Sequence, residues 1–157
     1  MFKFGNRSLT ALATAHEVLQ DVASVALTHT EIDFMVVEGA RSKERQQELL
    51  AAGASFISNS KHIPVAPHNK ARAIDIAAFV DGAVSWDAKH YDHIATAFAI
   101  ASREFLPIRW GGSWQPLVPS LFYTPTQQRE AYIADKKKQG RKPFLDLGHF
   151  ELLLEPL

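Results

Sequence analysis

The run Ala73-Ile74-Asp75-Ile76-Ala77-Ala78-Phe79 sets a carboxylate inside an otherwise apolar stretch that reads as a strand. A carboxylate in a buried strand costs several kcal/mol unless it is paired or bound to a cation. A fold that buries this strand must therefore bring a positive partner to Asp75. Alternation alone also allows Asp75 to face solvent from a half-exposed strand.

The rest of the chain is long enough to bury such a strand. Its 157 residues fit one domain, and a domain of that size buries roughly 70% of the surface its unfolded chain exposes. Lys+Arg and Asp+Glu each number 17, so no basic excess points to a nucleic-acid partner. The absence of cysteine excludes disulfides, thiolate nucleophiles and Cys-based metal sites together. The N-terminus lacks the features of a secretory signal, because His16 and Glu17 break its first apolar stretch. No segment reaches the ~20 apolar residues of a membrane span.

Local patterns give an α+β reading, a small antiparallel sheet flanked by helices, with residues 1–157 as one domain. Ser8 caps a first helix carrying Leu9, Leu12, His16, Leu19 and Val22 at helical spacing. Ile32, Phe34 and Val36 alternate as a strand closed by Glu38-Gly39, and Ser42 caps a helix running through Leu50 to a stop at Gly53. Residues 55–70 are loop. The Asp75 strand follows, with a hairpin turn at Asp81-Gly82. Asp87 opens a helix ending near Phe105, Ile108 to Trp110 is a short strand, Thr126 to Gln139 a helix, and His149 to Leu154 a last strand.

Two histidines complete a candidate site. His149 opens the last strand, and Asp146 three residues earlier can lie beside it as a general base. His62 lies in the loop Asn59-Ser60-Lys61-His62-Ile63-Pro64. Either histidine alone is an ordinary structural or exposed residue. With Asp75 they make two imidazoles and a carboxylate, a zinc set that leaves a fourth position open for water.

Several segments, in order, resemble the zinc peptidases of the D-Ala-D-Ala carboxypeptidase/L-alanyl-D-glutamate endopeptidase group, and the phage endolysins among them most closely. They are Gly39-Ala40-Arg41-Ser42 with Gln46, Asn59 to Pro64, Ala73 to Ile76, Val84-Ser85-Trp86-Asp87, Arg109-Trp110-Gly111-Gly112-Ser113-Trp114 and Phe144 to Leu152. The resemblance implies a compact α+β zinc peptidase with Zn2+ on His62, Asp75 and His149. Asp146 would be the general base, and Arg41 would stabilise an oxyanion or hold a substrate carboxylate. Ser60, Gln46, Trp110 and Ser113 are the substrate-binding candidates.

Two departures mark where this chain differs. Twelve residues separate His62 from Asp75, whereas His68, with six, has the spacing of the family's short form. His68 is thus a rival first ligand, although Ala66 stands where the motif has serine. Ser113 replaces the acid of the family's Trp-Gly-Gly-Asp-Trp, which removes a charge from the expected cleft.

Outside these motifs, His16 reads as a helix-face residue, His90 and His93 lack a third ligand, and Lys136 to Lys138 complement a helix C-terminus. The expectation is a monomeric zinc endopeptidase that cuts the L-Ala–D-Glu bond of bacterial peptidoglycan. It would be made in the host cytoplasm and act in the periplasm or wall after release through a holin. The alternatives are a D-Ala-D-Ala carboxypeptidase on the same residues and a non-catalytic wall-binding phage module.

Overall fold

The computed structural model describes residues 1–118, 120 and 122–153. Its helices are α1 (Asn6–Leu12), α2 (Glu17–His29), α3 (Lys43–Ala51), α4 (Ala88–Ala101) and α5 (Pro125–Lys138), with one 3-10 turn at Ser102–Glu104. The strands are β1 (Asp33–Glu38), β2 (Ala73–Val80), β3 (Ala83–Ser85), β4 (Ile108–Trp110), β5 (Gln115–Pro116) and β6 (His149–Leu152). They form one sheet of order β1-β2-β6-β4-β5 in which every pairing is antiparallel, and β3 pairs with the far end of β2. The α+β architecture expected from the sequence is the one observed.

Period-two alternation gives this sheet two chemically distinct faces. Ile74 lies opposite Phe150, Trp110 opposite Phe150, and Ile108 opposite Leu152. With Phe34, Val36, Ile76 and Ala78 these residues make the buried face. It packs on α2 through Leu19, Val22 and Ala26, and on α4 through Tyr91, Ile94 and Phe98. At the centre the Phe98 ring stacks on Phe150 at 3.9 Å and 16°. The intervening residues Asp75, His149, Glu151 and Arg109 fall on the opposite face.

The sequence-expected caps hold α3 and α4. Ser42 accepts from the Arg45 amide and Asp87 from the Lys89 amide. Thr124 and Gln127 form a reciprocal capping box on α5.

The first helix departs from expectation. The periodic stretch after Ser8 is two helices, broken where Ala15 bridges Ala71. The His16 amide donates to Ala71 O at 2.8 Å, and the Ala71 amide donates to Thr14 O at 3.1 Å. These bonds draw the backbone out of the helix, and His16 becomes the N-cap of α2. Ser8 is not a cap. It lies inside α1, buried, and its Oγ accepts from the Val36 amide. The two-residue β5 was not expected, and the end of the last strand at Leu154 lies outside the described residues.

Removal of the Phe98 ring leaves a cavity against Phe34 and Phe150. Phe98→Ala is expected to cost about 3–5 kcal/mol, measured by denaturant unfolding; a loss below about 1 kcal/mol would contradict this core assignment.

Candidate active site

Sheet register builds the site. Asp75 at the start of β2 is paired with Glu38 of β1 on one side and His149 of β6 on the other. Two register positions further along, Glu151 lies between Ala73 and Arg109. Glu38 reaches this row through a β-bulge between Val36 and Glu38. Strict alternation would turn Glu38 to the face of Phe34 and Val36, and the extra residue Val37 sends it to the polar face instead.

His62 arrives from the long loop after α3, and its ring is buried. Backbone bonds from Arg41 N to His62 O (2.8 Å) and from Arg72 N to Lys61 O (2.7 Å) fix that stretch of the loop. The His62 ring donates through Nδ1 to Gly39 O at 2.7 Å. Residue 39 must be glycine to pack against the end of α1, since a Cβ there would lie 2.3 Å from Ala11 O and Thr14 Oγ1.

Three ligand-type atoms converge. His62 Nε2 lies 3.2 Å from Asp75 Oδ1 and 3.3 Å from His149 Nδ1, and His149 Nδ1 lies 3.0 Å from Asp75 Oδ1. The outer nitrogen of each ring is committed elsewhere: His62 Nδ1 faces a carbonyl, and His149 Nε2 faces Glu151 Oε2 at 2.8 Å. With both rings neutral, each would turn a lone pair toward Asp75, so the cluster calls for positive charge, from a metal cation or from a proton on a ring. A tetrahedral ion with bonds of ~2.0–2.1 Å separates its ligands by about 3.3–3.4 Å, which the three distances approach. The residues fit a divalent metal ion.

The ionisation pattern expresses the same demand for positive charge. Burial works against a charged His149, but its hydrogen bonds to Asp75 and Glu151 outweigh this and push its pKa up to about 9. Burial likewise opposes an ionised Asp75, yet bonds from His149 and His62 hold it well below the usual carboxylate range.

Asp146 is placed by the turn before β6. Its amide donates to Gly111 O at 3.0 Å, and its carbonyl accepts from the His149 amide at 3.1 Å. Gly111 permits the contact, because a Cβ there would lie 2.2 Å from Asp146 O. Burial, and then the neighbouring Asp75 charge, raises the Asp146 pKa above its ordinary value, as suits a proton acceptor.

Arg41 is clamped. Its Nε donates to Glu38 Oε1 at 2.9 Å, Nη2 bonds Glu38 Oε2, and Nη1 donates to Gln46 Oε1 at 2.8 Å. Nη2 also lies 3.6 Å from Asp75 Oδ2. The fork is thus aimed at the site with two N–H donors still uncommitted to these carboxylate and amide partners.

These groups open onto a cleft of about 770 Å3, which Ser60 also lines. One wall is aromatic: Trp114 stacks on Phe144 at 5.6 Å, Phe56 meets Phe144 edge-on at 5.5 Å, and Trp114 leans over His149 at 5.4 Å. Trp114 holds a left-handed backbone, φ 55°, which costs a non-glycine residue about 1–3 kcal/mol. Bonds from its amide to Trp110 O (2.7 Å) and from its indole to Phe144 O (2.9 Å) help offset that cost.

Three of the substrate-binding candidates do not line the cleft. Trp110 is fully buried and donates its indole N–H to Leu147 O. Ser113 is fully buried and accepts from the Gln115 amide at 3.4 Å. Gln46, also buried, bonds Arg41, Ser55 and Ile57 O, so it supports the site without facing the cleft. Each is displaced from direct contact because its polar atoms serve the fold. His68 does not join His62, Asp75 and His149, and lies beside His16 instead.

Sequence reading missed Glu38, Glu151 and the Phe56 and Phe144 rings of the aromatic wall. Glu151 was within reach, since it lies two residues after His149 on one strand and so shares its face. Glu38 was hidden by the bulge.

The family description "Phage L-alanyl-D-glutamate peptidase" matches residues 1–153. The chain is similar to the L-alanyl-D-glutamate peptidase of Escherichia phage T5, at 36% identity over 118 residues, covering 72% of this chain and 82% of that one. Its fold is similar to the crystal structure of the Serratia marcescens L-Ala D-Glu endopeptidase ChiX. The TM-score is 0.69 at 30% identity, covering 96% of this chain and 90% of that one.

Two outcomes follow from the geometry. A raised histidine pKa stabilises the fold fully below the unfolded value and ceases to do so as pH climbs past the folded one. Metal-stripped protein is thus expected to lose melting temperature between pH 6.5 and about 9, while a flat profile in calorimetry would contradict the His149–Asp75–Glu151 bonding. Glu151→Gln, which weakens the bond orienting His149, is expected to lower zinc affinity about 10–100-fold in a competition titration with a chromogenic chelator.

Proposed function

Since the chain belongs to the phage L-alanyl-D-glutamate peptidase family, we propose that it is a zinc-dependent endolysin that hydrolyses the L-Ala–D-Glu bond of peptidoglycan stem peptides. The observation that carries the reading is the convergence of His62 Nε2, Asp75 Oδ1 and His149 Nδ1, with Asp146 and Arg41 facing the same cleft. His62, Asp75 and His149 would hold zinc, which would supply Lewis-acid polarisation of a peptide carbonyl and a nucleophile at neutral pH.

The protein's own groups do the rest. Asp146, its pKa raised, takes the proton from the attacking water and passes it to the departing amine as the C–N bond breaks. Water thus adds OH to the L-Ala carbonyl carbon and H to the D-Glu nitrogen. Arg41, held by Glu38 and Gln46, offers its remaining N–H donors to the oxyanion that forms in between. The Trp114–Phe144–Phe56 wall gives the peptide an apolar surface and keeps bulk water from one side of the reacting centre.

Among the described residues no helix is long and apolar enough to cross a membrane. We assign the protein to the periplasmic or wall side of its host, reached through a holin.

Asp146→Asn is expected to lower kcat about 10²–10⁴-fold on purified peptidoglycan while zinc content stays unchanged. Mass spectrometry of the digest is expected to reveal new D-Glu N-termini. Free D-Ala in their place would reassign the enzyme as a carboxypeptidase.

A further inference from the structure

A second cluster lies away from the cleft, where the 63–70 loop meets the start of α2. We propose that His16, Glu17 and His68 form a second divalent-metal site of zinc type, one that ties this loop to the helix. One ligand-type atom from each of the three residues lies within 4.8 Å of the others. None of the three lines the cleft, so the proposal stands apart from the peptidase reading.

His16 carries the argument. It is only 7% exposed, and its Nε2 is buried without a hydrogen-bond partner among the described residues. A buried polar atom left in that state is uncommon and calls for an explanation. The nearest carboxylate oxygen, Glu17 Oε2, is 3.7 Å away, which is ion-pair range but too long for a hydrogen bond. The His68 ring stands edge-on to His16 at 5.0 Å and 79°. An ion among the three would partner Nε2, and Glu17 and His68, both exposed, leave it open to solvent. Two imidazoles and a carboxylate, with water as a fourth ligand, suit zinc better than calcium or magnesium, which prefer all-oxygen shells.

The proton balance is specific. As the helix stands, His16 Nδ1 accepts from the Val18 amide at 3.2 Å, so Nε2 carries the ring proton. Metal binding at Nε2 shifts that proton to Nδ1 and gives up the cap, with no net proton released. Val18 lies in the first turn, where amides have no intrahelical acceptor in any case. Lys70 is the opposing charge nearby, and its ammonium is bound to Ala13 O.

Bound metal would also connect two parts of the fold. The loop leaves His62 at one end and returns to β2 through the Ala15–Ala71 bridge at the other. His68 lies between them, so the ion would brace the loop at a point remote from the cleft.

The test is zinc stoichiometry of the full chain, stripped with chelator and titrated with zinc chloride by calorimetry, with melting temperature measured at each step. Wild type is expected to bind two equivalents, the second raising the melting temperature. His68→Ala and Glu17→Gln alter exposed residues and should leave the fold intact. Each is expected to keep one equivalent and to bind the other at least about tenfold more weakly. A single equivalent in wild type, or a second one that survives His68→Ala unchanged, would overturn the proposal. His62→Ala separates the two sites: it should remove only the first equivalent. If it retained both, the cleft assignment would fail and the second site would stand.

Discussion

The structure depends on a carboxylate held between two imidazoles. Asp75 Oδ1 faces His62 Nε2 and His149 Nδ1 at 3.2 and 3.0 Å, and with neutral rings both would present lone pairs, because their outer nitrogens are bonded to Gly39 O and Glu151. Three electron-rich atoms so close repel one another unless positive charge lies among them. Much of the surrounding architecture enforces that unfavourable encounter: paired strands carry two of the atoms, Gly39, packed against Ala11 and Thr14 where no Cβ would fit, holds the ring of the third through its carbonyl, and Glu151 is itself bonded to Arg109. A site preorganised on strands is held more rigidly than one carried on loops.

The same sheet separates chemistry from stability by the width of one residue. Ile74 and Ile76 go to the helices while Asp75 goes to the cleft, and in β6 Phe150 and Leu152 alternate with His149 and Glu151. The hydrophobic layer on one face gives the strands their fixed register, and that register is what aligns Glu38, Asp75 and His149 across three strands. The fold and the site thus share one set of backbone hydrogen bonds.

This sharing explains what the sequence revealed and what it concealed. Asp75 was conspicuous because an acid in an apolar run has to be explained, and Asp146 with His149 because their spacing is short. Caps at Ser42 and Asp87, the Asp81-Gly82 turn and most helix limits were legible because they are local. His62 and His68 could not be separated by spacing, since the path of a twelve-residue loop is set by distant partners such as Gly39 and Arg72. The burial of Trp110, Ser113 and Gln46 was hidden for a related reason. A side chain's facing depends on strand pairing and loop closure that no short window contains. The break at His16 arises from a bridge to Ala71, 55 positions later. The bulge before Glu38 reversed the one local rule that would have placed it.

The alternation in β6 has a consequence for how such a chain can vary in length. Four consecutive residues are divided between cleft and core, so inserting or deleting one position there would exchange the two sets, moving Phe150 into the cleft and an acid into the helices. Substitution in this strand is graded, but a change of length is all or none. The loop between His62 and Asp75 is the opposite case, with both ends pinned by backbone bonds and its middle exposed. Length differences among related chains should collect there, where residues can be gained without disturbing the spacing of atoms around Asp75.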